Sequence, residues 1–201
     1  SPTRSSEVLL LEDGLPLTYA PYGDNATYSH PPIRRFERIE ILKGASQIRF
    51  GPHTVGGVVN YISPAAPSDF EGTLFLAGGD RGYAEAAASL GGEVAGFRLL
   101  GHASATVFDG VRENHDLSFA DYSLRAERTL TPNHEIVVRI AVNREDSQVS
   151  YSGLTQAEFD ADPFSNPFPN DRFETQRYTG ALTHAWTITP NLTLKTSAYS
   201  L

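Results

Sequence analysis

FERIEILKGASQIRFGPHTVGGVVNYI, residues 36–62, sets a charged strand, a one-turn helix and a glycine-punctuated second strand in one short stretch. Arg38 to Lys43 predicts a strand with Ile39 and Ile41 on one face and Glu40 on the other, ended by Gly44. Ala45 to Phe50 fits about one helical turn, closed by Gly51-Pro52 because proline cannot continue a helix. Gly56-Gly57 lead into VVNYIS, whose apolar run predicts a buried strand. Beyond about Asp69 the chain reads differently, as long alternating strands joined by turns. A compact mixed element feeding a run of antiparallel strands points to a plugged barrel.

Upstream, EVLLLEDGLPLT (7–18) reads as two short strands about an Asp-Gly turn, a strong hairpin signal. APYGDNATYSHPP (20–32) is too dense in Pro, Gly, Asn and Asp for regular structure and is expected to be a loop. SPAAPSD (63–69) has linker composition, which places an expected boundary between a plug-like domain, 1–67, and a wall, 68–201.

In the wall the period is two. Phe97, Leu99, Gly101, Ala103, Ala105 and Val107 fall on one side of a strand, with Arg98, Leu100, His102, Ser104 and Thr106 on the other. Residues 135–144 alternate likewise. Strands of this kind, about ten residues long, are the mark of a membrane barrel with a wet lumen, although a soluble sandwich alternates in the same way. Seven strands are predicted, at 72–79, 82–91, 95–108, 120–130, 134–148, 173–188 and 191–201. Loop length separates the two readings. GGEVA, LTPNH and ITPN make tight connections, whereas DGVRENHDLSF and SYSGLTQAEFDADPFSNPFPND are long. Short and long connections therefore fall at opposite ends, as in outer-membrane barrels, with Asp80-Arg81 a short exception. Tyr122, Tyr178, Trp186 and Tyr199 lie near strand ends, where an interfacial aromatic girdle would sit. Seven strands leave two open edges, which lipid does not tolerate, so further strands are expected after Leu201.

Composition agrees. The chain has 201 residues, no cysteine and no methionine, and begins at Ser, which leads to the expectation of an excerpt from a longer polypeptide. No apolar run reaches the roughly 18 residues of a spanning helix. A net charge of −8 argues against a nucleic-acid surface. The glycines at 51, 56 and 57 lack the Lys-Ser/Thr of a phosphate-cradling loop. Asp160, Asp162, Asn166, Asn170 and Asp171 lack the order of a calcium loop, and TQAEFDAD instead predicts a short helix capped at Thr155 with Glu158 completing a capping box. No serine-hydrolase motif is present, and no enzyme activity, metal site or cofactor is expected.

RIEILKGASQIRFGPHTVGGVVNYIS resembles the plug of TonB-dependent outer-membrane receptors, a likeness extending over residues 7–67. DGLPLTYAPYG (13–23), RFGPHTVGGVVN (49–60) and the loop SGLTQAEFDADP with NDRF (152–173) resemble the ferric citrate receptor branch, with Phe50 and His53 where that branch often has Tyr and Gln. The resemblance implies a 22-stranded transporter of a Gram-negative outer membrane, its lumen plugged. It would bind ferric citrate or another iron–siderophore outside and release it inward when the TonB–ExbB–ExbD complex pulls on the plug. The iron would arrive already chelated. Tyr19, Tyr22 and Asn25 are then expected at the plug apex, joined by Arg49 and His53. Arg112, His115 and Arg172 are candidates from the external loops, because ferric chelates are mostly anionic and arginine offers a planar fork to carboxylates. For each arginine the plain alternative is a structural ion pair. Arg38 and Glu40 are expected to make polar plug–wall contacts with lumen charges such as Arg98, Glu127 or Arg139. The alternatives are a passive channel or adhesin-type barrel, for which a plug has no use, and a soluble carbohydrate-binding β-sandwich, whose strands would close within the chain.

Overall fold

A computed structural model describes residues 8–17, 30–44, 50, 54, 56–148 and 153–201. The chain divides into two compact units, Ser1–Ala65 with Tyr199–Leu201, and Ala66–Ala198. Two sheets account for most of the described backbone: a four-stranded mixed sheet and a seven-stranded antiparallel one.

The first sheet has the order β2-β1-β4-β3, with β1 Val8–Glu12, β2 Leu15–Pro16, β3 Arg38–Leu42 and β4 Gly57–Ile62. Asp13 and Gly14 both take positive φ, 50° and 83°, the conformation that a two-residue hairpin demands and that the Asp-Gly pair supplies readily. β1 then pairs in parallel with β4, and β3 antiparallel with it. The central strands are buried on both faces, which is why VLLL and GVV read as unbroken apolar runs. Leu9, Leu11 and Val58 pack one side, and Leu10, Leu17 and Tyr61 the other.

Polar groups fix this small core. Asn60, buried, accepts the Gly14 N–H through Oδ1 at 2.9 Å and donates through Nδ2 to Glu40 at 3.3 Å. Asp13 accepts the Ser63 N–H at 2.9 Å. Arg35, in a 3-10 turn at Ile33–Arg35, reaches Glu12 at 2.6 Å, with both side chains nearly out of solvent. Its guanidinium also lies over the Phe36 ring at 4.8 Å. The Tyr61 hydroxyl contacts His30 Nδ1 at 3.1 Å, and burial raises its pKa above the ordinary phenol value. Gly44, at φ 82°, ends the segment containing β3 as the sequence predicts. The one-turn helix expected over 45–50 lies, except for Phe50, outside the described residues.

The second sheet is a meander in simple order, β5 Glu71–Gly78, β6 Ala84–Val94, β7 Phe97–Phe108, β8 Leu117–Thr131, β9 His134–Ser147, β10 Phe173–Thr189 and β11 Leu192–Ser200. All seven predicted strands are present. Two boundaries differ by three residues: β8 begins at Leu117 rather than 120, and β6 continues through GGEV, with the chain reversing at Ala95-Gly96, φ 52° and 77°. Gly91 and Gly92 are strand residues, and the reason lies elsewhere in the chain. A Cβ on Gly91 would stand 2.5 Å from Pro67 Cγ and 2.9 Å from the Leu99 carbonyl, and Gly92 lies against Phe70. The Glu93 N–H donates to the Ser68 carbonyl at 3.3 Å, and the Ala66 N–H to Glu127 Oε1 at 3.1 Å. Residues 66–70 are thereby clamped onto β6 and β8.

Register divides the faces of this sheet. Ala87, Ser104, Asp121, Asn143 and Arg177 form one cross-strand row, all buried, with Asp121 and Asn143 hydrogen-bonded to each other. Glu127, 3% exposed, accepts from Arg98 at 2.7 Å and Arg125 at 2.5 Å, and Arg98 also reaches Glu135 at 3.0 Å. The opposite face carries Leu74, Leu90, Leu124, Ile140 and Leu182, all exposed. Apolar side chains outside and charge inside is the reverse of a water-soluble sheet. Tyr122, Tyr178 and Trp186 stand on the apolar face. The Tyr199 expectation is corrected: Ser197 and Thr193 bond Thr183 and Thr187, so alternation puts Tyr199 on the face away from Trp186.

Candidate ligand-binding site

The long connections, 109–116 between β7 and β8 and 148–172 between β9 and β10, meet at one end of the second sheet together with the 79–83 turn. Backbone groups join them. The Glu113 N–H donates to the Phe164 carbonyl at 2.9 Å, Asn166 Nδ2 to the Asn114 carbonyl at 3.0 Å, and the Gln148 N–H to the Asp116 carbonyl at 2.8 Å. The Asp109 N–H reaches the Arg81 carbonyl at 2.9 Å, and Arg81 lies 5.8 Å from the Phe164 ring centre. Two glycines make the approach possible. A Cβ on Gly82 would run into the Asp109 carboxylate, and one on Gly110 into the His115 carbonyl.

Within 148–172 the predicted cap is present in full. The Thr155 hydroxyl accepts the Glu158 N–H at 3.3 Å, and Glu158 accepts the Thr155 N–H at 2.7 Å, opening α1, Gln156–Ala161. That backbone bond first, and the Thr155 hydroxyl second, hold the Glu158 carboxyl below the ordinary carboxylate range. Phe159, Phe164 and Phe168 are all exposed on this loop.

The sequence-derived candidates separate here. Arg112, half-buried in the 109–116 loop, forms no hydrogen bond or ion pair among the described residues. His115, in the same loop, has a buried Nδ1 without a partner among them. Arg172 is committed: its Nε donates to Asp146 at 2.8 Å and lies 2.9 Å from Glu174, and the bond to Asp146 raises its pKa further. The pair is exposed, so its net stabilisation is small and the guanidinium can exchange partners readily. Arg112 and His115 thus share one loop, and Arg172 belongs to a separate ion pair. Tyr19, Tyr22, Asn25, Arg49 and His53 lie outside the described residues. Arg38 pairs with Glu37 at 3.4 Å and Glu40 at 3.2 Å on its own sheet. The sequence reading did not single out Arg81, Glu113 and Phe164, and it weighed Asn166 only as part of a calcium loop; all four join loops, and their contacts are mainly to backbone, which leaves no side-chain pattern to find.

Comparison with known proteins follows the same division of the chain. The model of the TonB-dependent Receptor Plug Domain family matches residues 3–58. The vitamin B12 transporter BtuB of Photobacterium profundum is 32% identical over 94 residues, 47% of this chain and 15% of that protein. The crystal structure of the ferric citrate transporter FecA in its unliganded form superposes with a TM-score of 0.85 at 24% identity, covering 99% of this chain and 31% of that one. The ferripyoverdine receptor of the outer membrane of Pseudomonas aeruginosa gives 0.77 at 17% identity, covering 94% and 27%. The chain therefore spans under a third of each of these structures. These relatives are receptors and transporters, not enzymes. Residues 3–58 thus resemble the TonB-dependent receptor plug-domain family, and the chain as a whole shares the fold of the corresponding part of the ferric citrate transporter structure, from a plug-like sheet into an antiparallel wall.

Proposed function

We propose that this chain is part of an energy-coupled receptor of a Gram-negative outer membrane, one that binds an extracellular ferric chelate and imports it with the TonB–ExbB–ExbD complex. One observation carries the reading: a plug-family segment runs directly into an antiparallel wall whose long loops gather at one end. An exposed apolar face backed by buried charge supports a wall in lipid, and no passive pore needs a plug. Across the apolar face, the eight steps from Tyr178 to Trp186 span ~27 Å at ~3.4 Å per residue. A strand tilt of ~40° brings that to ~20 Å, close to the ~25 Å band of outer-membrane barrels.

For the chelate itself, ferric citrate is the favoured member. The citrate reading is supported by the sequence likeness at 13–23, 49–60 and 152–173 and by the FecA superposition. In this reading Tyr19, Tyr22, Asn25, Arg49 and His53 supply plug-apex contacts, Arg112 and His115 meet the ligand from the loop, and Arg172 exchanges Asp146 for ligand carboxylate. Arg38 and Glu40 contribute polar plug–wall contact. The test is titration of the purified full-length receptor with ferric citrate, a ferric hydroxamate, a ferric catecholate and cobalamin. Saturable binding of ferric citrate alone is expected. Binding of only one of the others would overturn the citrate assignment and leave the receptor class standing.

A further inference from the structure

At the end of the second sheet away from the long loops, the apolar face changes character. Arg128, Ile136 and His184 occupy one cross-strand row, and His134 and Trp186 the next. His134 Nδ1 and His184 Nε2 are 3.0 Å apart, with rings stacked at 3°, and Trp186 stacks on His134 at 5.6 Å. Arg128 places its guanidinium 4.5 Å from the centre of the Phe97 ring. Alternation sends the nearby acids, Glu93, Glu127 and Glu135, to the other face, where Arg98 reaches both Glu127 and Glu135. Below the row Tyr122–Val142–Tyr178, the described residues of the apolar face therefore carry Arg128, His134 and His184 as ionisable groups and no carboxylate.

An aromatic girdle accounts for Phe97 and Trp186. It does not account for a guanidinium and two imidazoles on an apolar face with no acid to answer them. The single bond between the two histidines leaves the second nitrogen of each ring for a further partner. Arg128 and His184 lie two strands apart, ~10 Å between Cα atoms, a gap that a phosphate bridged by their side chains fills. We propose that Arg128, His134 and His184, floored by Phe97 and Trp186, form a seat for the phosphate of an acidic glycerophospholipid in the leaflet at the short-turn end. The lipid is preferred to a soluble anion because the surrounding surface, with Leu182, Ile188 and Leu194 exposed, suits acyl chains. This inference rests on the membrane reading above.

The test uses the full-length receptor reconstituted in nanodiscs of equal phosphatidylglycerol and phosphatidylcholine, with retained lipids counted by native mass spectrometry. Heat-modifiable migration reports folding separately. The wild type is expected to retain phosphatidylglycerol preferentially. Arg128→Gln should cut that preference about fivefold, the effect of one cation near a bilayer surface. His134→Asn with His184→Asn should reduce it further, and Arg81→Gln, at the loop end, should leave it unchanged. A folded, inserted receptor showing equal retention of both lipids would overturn the seat while leaving the membrane wall intact. Loss of phosphatidylglycerol to an equal concentration of inorganic phosphate would reassign the site to a soluble anion and also overturn it. A receptor that enters no bilayer would remove the membrane reading and the seat together.

Discussion

Arg35 and Glu12 join parts of the plug sheet far apart in sequence by a 2.6 Å ion pair that is almost fully out of solvent. Removing one member of such a pair leaves the other charge buried, a loss of about 3 kcal/mol. Arg35→Ala is therefore expected to raise amide exchange in β1 and β4 about a hundredfold, read by mass spectrometry on the full-length protein. Arg35→Lys should recover only part of the protection, since an ammonium lacks the planar fork. Glu158 offers a pH-dependent counterpart. Its folded pKa is depressed, so the capping box stabilises α1 above the ordinary carboxylate pKa and loses that contribution as pH falls through the lower folded value. Protection of the α1 amides, relative to their intrinsic exchange rates, should fall in the wild type once the pH drops below the ordinary carboxylate range, whereas Thr155→Ala should show low protection at neutral pH as well.

Among elements, the clamp on residues 66–70 shows where local sequence stops being informative. The Asp-Gly turn, the β3 stop at Gly44, all seven wall strands and the Thr155 cap were legible, because each is set by φ preference, period or a four-residue motif. Gly91-Gly92 read as a turn, but these glycines serve Pro67 and Phe70, a contact between segments that no window around residue 91 contains. The candidate site divides in the same way. Arg112 and His115 stood out as basic loop residues, yet only the β9–β10 register brings Asp146 to Arg172. Two substitutions probe the clamp. Gly91→Ala forces Pro67 away, and Glu127→Gln weakens the acceptor of the Ala66 N–H. A spin label on the exposed Ser68→Cys should become more mobile in each, and unchanged spectra would show that the connector is held by other contacts.

For the whole molecule, the two faces of the wall make an opposite demand to those of a soluble sandwich. Ile140 is 53% exposed near the middle of the apolar face, whereas Asp121, on the other face, is fully buried. Arginine at a mid-band outward position costs about 2–4 kcal/mol in a membrane barrel, falling to about 0–1 at the interfaces. Ile140→Arg should accordingly lower folding stability in lipid far more than Ile188→Arg near the short-turn rim. Equal effects would place the face in water. The loop cluster, the clamp and the apolar band all serve a wall whose incoming connector is fixed at its root. The most direct measurement is uptake of radiolabelled ferric citrate by cells whose sole receptor is the full-length protein, with and without a functional TonB. Saturable uptake that disappears when TonB is lost is the predicted result; uptake of equal rate in both strains, or none above a receptor-free strain, would contradict the account.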